Sequence, residues 1–210
     1  GVNPLVNDNG GIYTLGVQPG TIVRGNLIHD IQARNFGGWG IYLDEGSSQI
    51  TVEHNIVYRT RTGGFHLHRG EDNRVYNNIF AFGNLAQIER TLEAFAAEDF
   101  DDESYQSFTF ENNILYWQEG NLLAGQWQDL HYAFDRNLYW SGSDRPLQFG
   151  SWSWQQWQQH GMDRNSRIAD PLFVAPEQGN FRLKPNSPAL KMGFKPLDFV
   201  YSVGSVEGLS

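Results

Sequence analysis

The chain has 210 residues, with 23 Gly, no Cys, 40% hydrophobic and 14% aromatic residues, and 15 Lys+Arg against 24 Asp+Glu for a net charge of −9. The absence of cysteine excludes disulfides, thiolate catalysis and Cys-ligated zinc or iron–sulfur sites, and leaves the redox compartment open. An acidic balance without a basic stripe argues against nucleic acid as a partner, and no run of about 18 apolar residues is present to span a bilayer.

Taken in chain order, the first residues, Gly1–Asn9, lack the basic and apolar regions of a signal peptide, so any targeting sequence reads as removed or never present. A short strand is predicted at Gly11-Ile-Tyr-Thr-Leu15, and a second kind of segment follows at Val23–Ile28, where two spacers and Asn26 separate Val23 from Leu27 and Ile28. The two kinds then alternate: Gly40-Ile-Tyr-Leu-Asp44, Val52–Val57 around Asn55, Gly64-Phe-His-Leu-His68, and Val75–Phe80 around Asn78. Ala86–Ala97 has helix-forming composition. The acidic run Glu98-Asp-Phe-Asp-Asp-Glu103 reads as a solvated insertion whose carboxylates suit Ca²⁺, although their spacing matches no calcium motif, and no metal ligand set is assigned.

Phe110–Leu115 around Asn113 and Phe134–Leu138 around Asn137 resume the pattern. After Trp140 it fades. Ser153 is placed to cap a short helix running to His160 and stopped by Gly161, with Trp152, Trp154 and Trp157 as anchors to the core. Ala169–Val174 and Asn180–Lys184 read as a last pair of strands that, with residues 141–210 as a whole, cap the coils of residues 1–140.

The ladder asparagines lie 29, 23, 35 and 24 residues apart, and the Gly-apolar strands keep the same phase at 29 and 24. A period of roughly 20 to 30 residues with one amide at a fixed position is the signature of a solenoid. An antiparallel sandwich would give short strands without that phase. The predicted fold is therefore all-β, a right-handed parallel β-helix with a C-terminal cap.

Asp8-Asn-Gly-Gly-Ile-Tyr13, Gly38-Trp-Gly-Ile-Tyr-Leu-Asp-Glu-Gly46, Gly63-Gly-Phe-His66, Asp170-Pro-Leu-Phe173 and Asn186-Ser-Pro-Ala-Leu190 resemble bacterial right-handed β-helix repeat proteins of the polysaccharide-degrading kind. Within them the chain is most similar to the carboxyl-terminal part of glycoside hydrolase family 141-type proteins, which include fucosidases and xylanases. The resemblance implies a polysaccharide or oligosaccharide as partner, no cofactor, no membrane, and a secreted or periplasmic location. Proteins of this type are usually much longer, so Gly1–Leu5 reads either as the cut face of a larger helix or as an oligomer surface.

Alternate residues of a strand face opposite sides. With Ile12, Ile41, Leu43, Phe65 and Leu67 inside, Tyr13, Tyr42 and His66 should form an outer column, joined by Glu89, with Asp44 and His68 beside it. The expected result is an exposed strip of carboxylates, imidazoles and guanidiniums. Glycoside hydrolysis needs two carboxyl groups, and the candidates are Asp44 with Glu89 or Asp8, assisted by His66; Tyr13, Trp39, Tyr42, Glu45, His68, Arg69 and Arg90 are candidate substrate contacts. Trp39, Trp117, Trp127 and Trp140 offer stacking surfaces for sugars. Each has a structural alternative: strand-face packing for the tyrosines, a turn for Asp8 and for Asp44-Glu45-Gly46, an ion pair for Glu89 and Arg90. Three functions follow: a glycoside hydrolase; a lyase or epimerase in which Tyr42 or His66 takes a C5 proton and Arg69 or Arg90 neutralises a uronate; or a non-catalytic carbohydrate-binding solenoid.

Overall fold

A computed structural model describes residues 6–92, 106–143 and 146–197. The segments predicted at residues 1–5, 93–97 and 98–103, the acidic run among them, lie outside the described residues. Five coils each place one strand in each of three sheets, and every pairing between coils is parallel. The first sheet stacks Gly10–Val17, Trp39–Ser48, Phe65–His68, Ala86–Thr91 and Asn121–Gly125. The second stacks Ile22–Arg24, Thr51–Glu53, Asn73–Tyr76, Phe108–Glu111 and Tyr132–Asp135. The third runs from Leu27–Ile31 through Ile56–Thr60, Ile79–Ala81, Ile114–Trp117 and Leu138–Ser141 to a sixth short strand, Arg167–Ile168.

The bend between the second and third sheets is where the asparagines act. Gly25, His54, Asn77, Asn112 and Arg136, each immediately before a ladder residue, take φ between 53° and 69°, turning the chain sharply inward. The next residue is Asn26, Asn55, Asn78, Asn113 or Asn137, and the last four are fully buried. Each Oδ1 below the first accepts from the coil above: Asn55 from the backbone N of Asn26 at 3.0 Å, Asn78 from that of Asn55 at 3.0 Å, Asn113 from that of Asn78 at 2.9 Å and Asn137 from that of Asn113 at 2.9 Å. Each Nδ2 donates to main-chain carbonyls, as Asn78 does to Val52 and Tyr76 at 3.0 Å. The bend therefore keeps its polar groups paired inside an apolar core.

The ladder ends on a different residue. Asn137 donates from Nδ2 to Oδ1 of Asp163 at 3.0 Å and from its backbone N to the Ser166 hydroxyl at 2.7 Å. Asp163, wholly buried, also accepts from Tyr139 Oη and Trp157 Nε1 at 2.7 Å and from Ser166, and burial pushes its carboxyl up. Trp157 belongs to helix α1, Trp154–Gln159, capped by Ser153 as predicted, with Gln156 completing a reciprocal capping box. This helix closes the end of the core, with Trp152 and Trp154 packed beside the buried Trp157.

Two predictions are corrected. Ala86–Thr91 is a strand, not the start of a helix: bonded on both sides, to Phe65–His68 and Asn121–Gly125, it follows the sheet despite its helix-forming composition. The segment 169–197 is not an end cap. Its antiparallel strands Phe173–Ala175 and Asn180–Leu183 and helix α2, Pro188–Lys191, lie along the outer face of the third sheet, where Phe173, Phe181, Ala189 and Phe194 cover Ile56, Tyr58, Ile79, Ala81, Ile114 and Leu138. That sheet is apolar on both faces and needs a cover. Asn77 pins the far end, donating to the Lys195 carbonyl at 2.9 Å and accepting from its N at 2.8 Å.

The glycines opening the first-sheet strands set how close the sheets come: a Cβ on Gly40 would stand 2.1 Å from Cγ1 of Val57. Asn78→Ala should cost about 1–3 kcal/mol, because it strands buried main-chain groups, whereas Asn26→Ala, half-exposed at the top of the ladder, should cost less. Urea unfolding of both variants measures the difference, and equal midpoints would contradict the ladder's role.

Candidate functional site

The site is built on the outer face of the first sheet. Pairing of Tyr13 with Tyr42, Tyr42 with His66 and His66 with Glu89 gives the expected column, and Asp44 lies one pleat further along, its α-carbon opposite Leu15. Ile41, Leu43, Phe65 and Leu67 point inward and are wholly buried.

Asp44 is the most heavily bonded side chain of the cluster. It accepts from the phenol of Tyr13, from Tyr42 Oη at 2.8 Å, from the backbone N of Glu45 at 2.8 Å and from His68 Nδ1 at 2.8 Å. Burial pushes its carboxyl up, but the donors from Tyr13, Tyr42, Glu45 and His68 outweigh that and hold it below the usual carboxylate range. The same contacts act on the phenols: the bond to Asp44 carries Tyr13 up to about 12, and burial followed by Asp44 raises Tyr42 well above the ordinary tyrosine value.

Glu89 is perturbed in the opposite direction. Burial raises its carboxyl, only partly opposed by the Trp39 indole, which donates to Oε2 at 2.6 Å. Trp39 comes from coil two and Glu89 from coil four, so the indole spans two coils, and the three rings between the carboxyl groups stack closely. Trp39 and His66 lie 4.3 Å apart, Tyr42 and His66 4.5 Å apart at 15°, and Phe36 meets Trp39 edge-on at 5.1 Å. Burial, with His68 nearby, drives His66 down to about 3, and its Nε2 pairs with the Thr91 hydroxyl at 3.0 Å. His66 is thus a neutral ring, and its Nδ1 is buried without a partner.

The strip is less open than predicted. Trp39, Tyr42, Asp44 and His66 are buried, because aromatic packing closes over them; Tyr13, 47% exposed, with Glu45, His68 and Arg69, forms the accessible rim. Arg90 is not on the strip. It alternates with Glu89 and so points inward, fully buried, with a two-pronged bond to Asp129 at 2.7 Å. Asp8 is exposed with φ 50°, at the turn before the first strand, and its charge reaches the Tyr13 and Tyr42 phenols. Trp117 and Trp127 sit in the core rather than offering sugar platforms, Trp127 edge-on to Phe108, Tyr132 and Phe134; Trp140 is half-buried. Phe36 and Thr91 were not predicted; Thr91 shares the outward parity of Glu89, which was the available signal. Among the described residues no group of three or more His, Asp or Glu side chains gathers that could hold a metal ion.

Fold and site together define a solenoid whose first sheet carries a titratable, ring-lined outer face. Residues 3–91 match the family model described as a right handed beta helix region, and with the stacked parallel sheets this makes the chain a right-handed parallel β-helix protein. No curated protein and no solved structure matches it.

His66 gives the site a pH signature. A histidine lowered from 6.5 to about 3 contributes stability that is present above pH 6.5 and lost as pH falls toward 3; Asp44, also lowered, adds a loss below its ordinary 3.8. Urea midpoints should therefore decline from pH 6.5 to pH 4, and His66→Phe should flatten that decline; an unchanged slope would contradict a neutral buried His66.

Proposed function

We propose that this β-helix is a carbohydrate-active enzyme, and specifically a glycoside hydrolase in which Glu89 is the acid and Asp44 the base. The observation that carries this reading is that two carboxyl groups on one outer face are tuned apart, Asp44 held ionised by four donors and Glu89 pushed toward the protonated form by burial. Such a divergence assigns acid and base roles to a carboxyl pair. Two coils and two strand positions separate them, roughly 12 Å between α-carbons from a coil spacing of about 4.8 Å and a strand rise of about 3.3 Å. An α-carbon span of that size is closer to the wider carboxyl spacing of an inverting enzyme, about 6.5–9.5 Å, than to the roughly 5–5.5 Å of a retaining one.

In this scheme the sugar lies across the outer edges of the packed Trp39, Tyr42 and His66 rings, Glu89 protonating the leaving oxygen at one end and Asp44 taking a proton from the attacking water at the other. Tyr13, Tyr42 and His68 orient the Asp44 carboxylate. Tyr13, Glu45, His68 and Arg69, at the rim, contact the sugar. The resemblance to family 141-type hydrolases and the net charge of −9 favour a neutral polysaccharide or oligosaccharide over a polyanion. Such a substrate fits a secreted or periplasmic enzyme. The lyase reading is weaker because Tyr42 keeps its proton and the His66 ring is buried between Trp39 and Tyr42, away from any C5 proton.

Incubation with neutral and uronic polysaccharides should release reducing ends of inverted anomeric configuration without ultraviolet-absorbing product. Asp44→Asn and Glu89→Gln should each lower turnover by about 10²-fold or more. Unsaturated uronate products, or binding with no turnover, would replace hydrolysis with elimination or with a binding role.

A further inference from the structure

A second site lies at the corner between the second and third sheets, away from Asp44. An open cavity of about 690 Å³ is lined there by Arg24, Glu53, His54, Tyr76, Lys195 and Leu197, so its walls come both from the coils and from the returning C-terminal segment. The Asn77–Lys195 hydrogen bonds fix those two walls relative to each other.

Two of the residues lining the cavity carry a buried polar atom without a hydrogen-bond partner. The Glu53 side chain is 2% exposed; Oε1 is taken by the Arg24 guanidinium, but Oε2 has no hydrogen-bond partner. His54 Nδ1 likewise has none, and the two atoms are 3.6 Å apart, too far to satisfy each other. Native proteins rarely leave such atoms unpaired, and each one calls for a physical reason.

We infer that this cavity binds a neutral sugar ring, one hydroxyl of which sits between Glu53 and His54. A hydroxyl is suited to the position because it donates to the carboxylate oxygen while exchanging a second hydrogen bond with the imidazole. A carboxylate or phosphate oxygen has no proton for Glu53, and an ammonium ligand would meet the charges of Arg24 and Lys195. The remaining Arg24 N–H groups and the Lys195 ammonium supply donors for neighbouring hydroxyls. Tyr76, steadied by the Arg74 guanidinium 4.6 Å from its ring centre, and Leu197 supply the apolar wall that a sugar's C–H face requires. The site is independent of the hydrolytic reading, since it shares no residue with the Asp44 cluster.

The test is saturation-transfer NMR and calorimetry on the whole chain with xylose, glucose, galactose, mannose and fucose, and with glucuronate, galacturonate and inorganic phosphate as anionic controls. At least one neutral sugar should bind, Glu53→Gln and Lys195→Met should each weaken that binding about tenfold, the loss expected for one hydrogen bond to a charged group, and Asp44→Asn should leave it unchanged. If Glu53→Gln fails to fold, Lys195→Met decides, because that side chain is exposed. Absence of neutral-sugar binding, binding untouched by these variants, loss in Asp44→Asn, or capture of the anions alone would each overturn the proposal.

Discussion

The structure depends on a buried bend. Wherever the chain turns from the second sheet to the third it enters αL geometry and aims main-chain amides into an apolar core, where they must be bonded. One side chain with a donor and an acceptor at the right reach, asparagine, meets that need at every coil, and the polar groups of one turn are satisfied by the turn below. Aspartate could accept but not donate; only at the foot of the stack do other residues take over, the Ser166 hydroxyl accepting from the Asn137 backbone N and Asp163 accepting from Asn137, Tyr139, Trp157 and Ser166.

Because the ladder fixes the phase of every coil, it also fixes which side chains share the outer face. Tyr13, Tyr42, His66 and Glu89 come from four separate turns, yet they fall in one column since each keeps its register with the coil above. The electrostatics follow from that stacking. Asp44 gathers the phenol of Tyr13 and the imidazole of His68, both distant in sequence, beside the phenol of Tyr42, while Glu89 is left with a single indole donor under the same aromatic lid. Similar carboxyl groups thus acquire opposite proton affinities from position alone.

The same stacking decides what is legible in the sequence. The ladder is legible because one residue type recurs at one phase, and the column is legible because strand parity propagates from coil to coil. Burial is not. Whether Trp39 or Trp117 shows a face to solvent depends on Phe36 and on the last coils, which no periodicity marks. Ala86–Thr91 misleads because alanine, glutamine, glutamate and arginine favour a helix locally, and only pairing with strands on both sides decides otherwise. The returning segment is hidden for a related reason: Asn77 meets Lys195 across 118 positions, a contact without any repeat to signal it. Parity alone sends Arg90 inward, against the surface position that its charge suggests.

The spacing of the ladder carries a consequence for how such a protein can change over evolutionary time. Successive asparagines are 23 residues apart at one step and 35 at another, yet the hydrogen bonds across both steps have nearly the same lengths, between 2.9 and 3.0 Å. The core registers only that each asparagine returns to its corner, not how much chain was spent on the way. Insertions between turns are therefore nearly invisible to the scaffold, so lineages sharing this frame can exchange or enlarge the segments around the outer face, and with them the molecules recognised, while inheriting the coil unaltered.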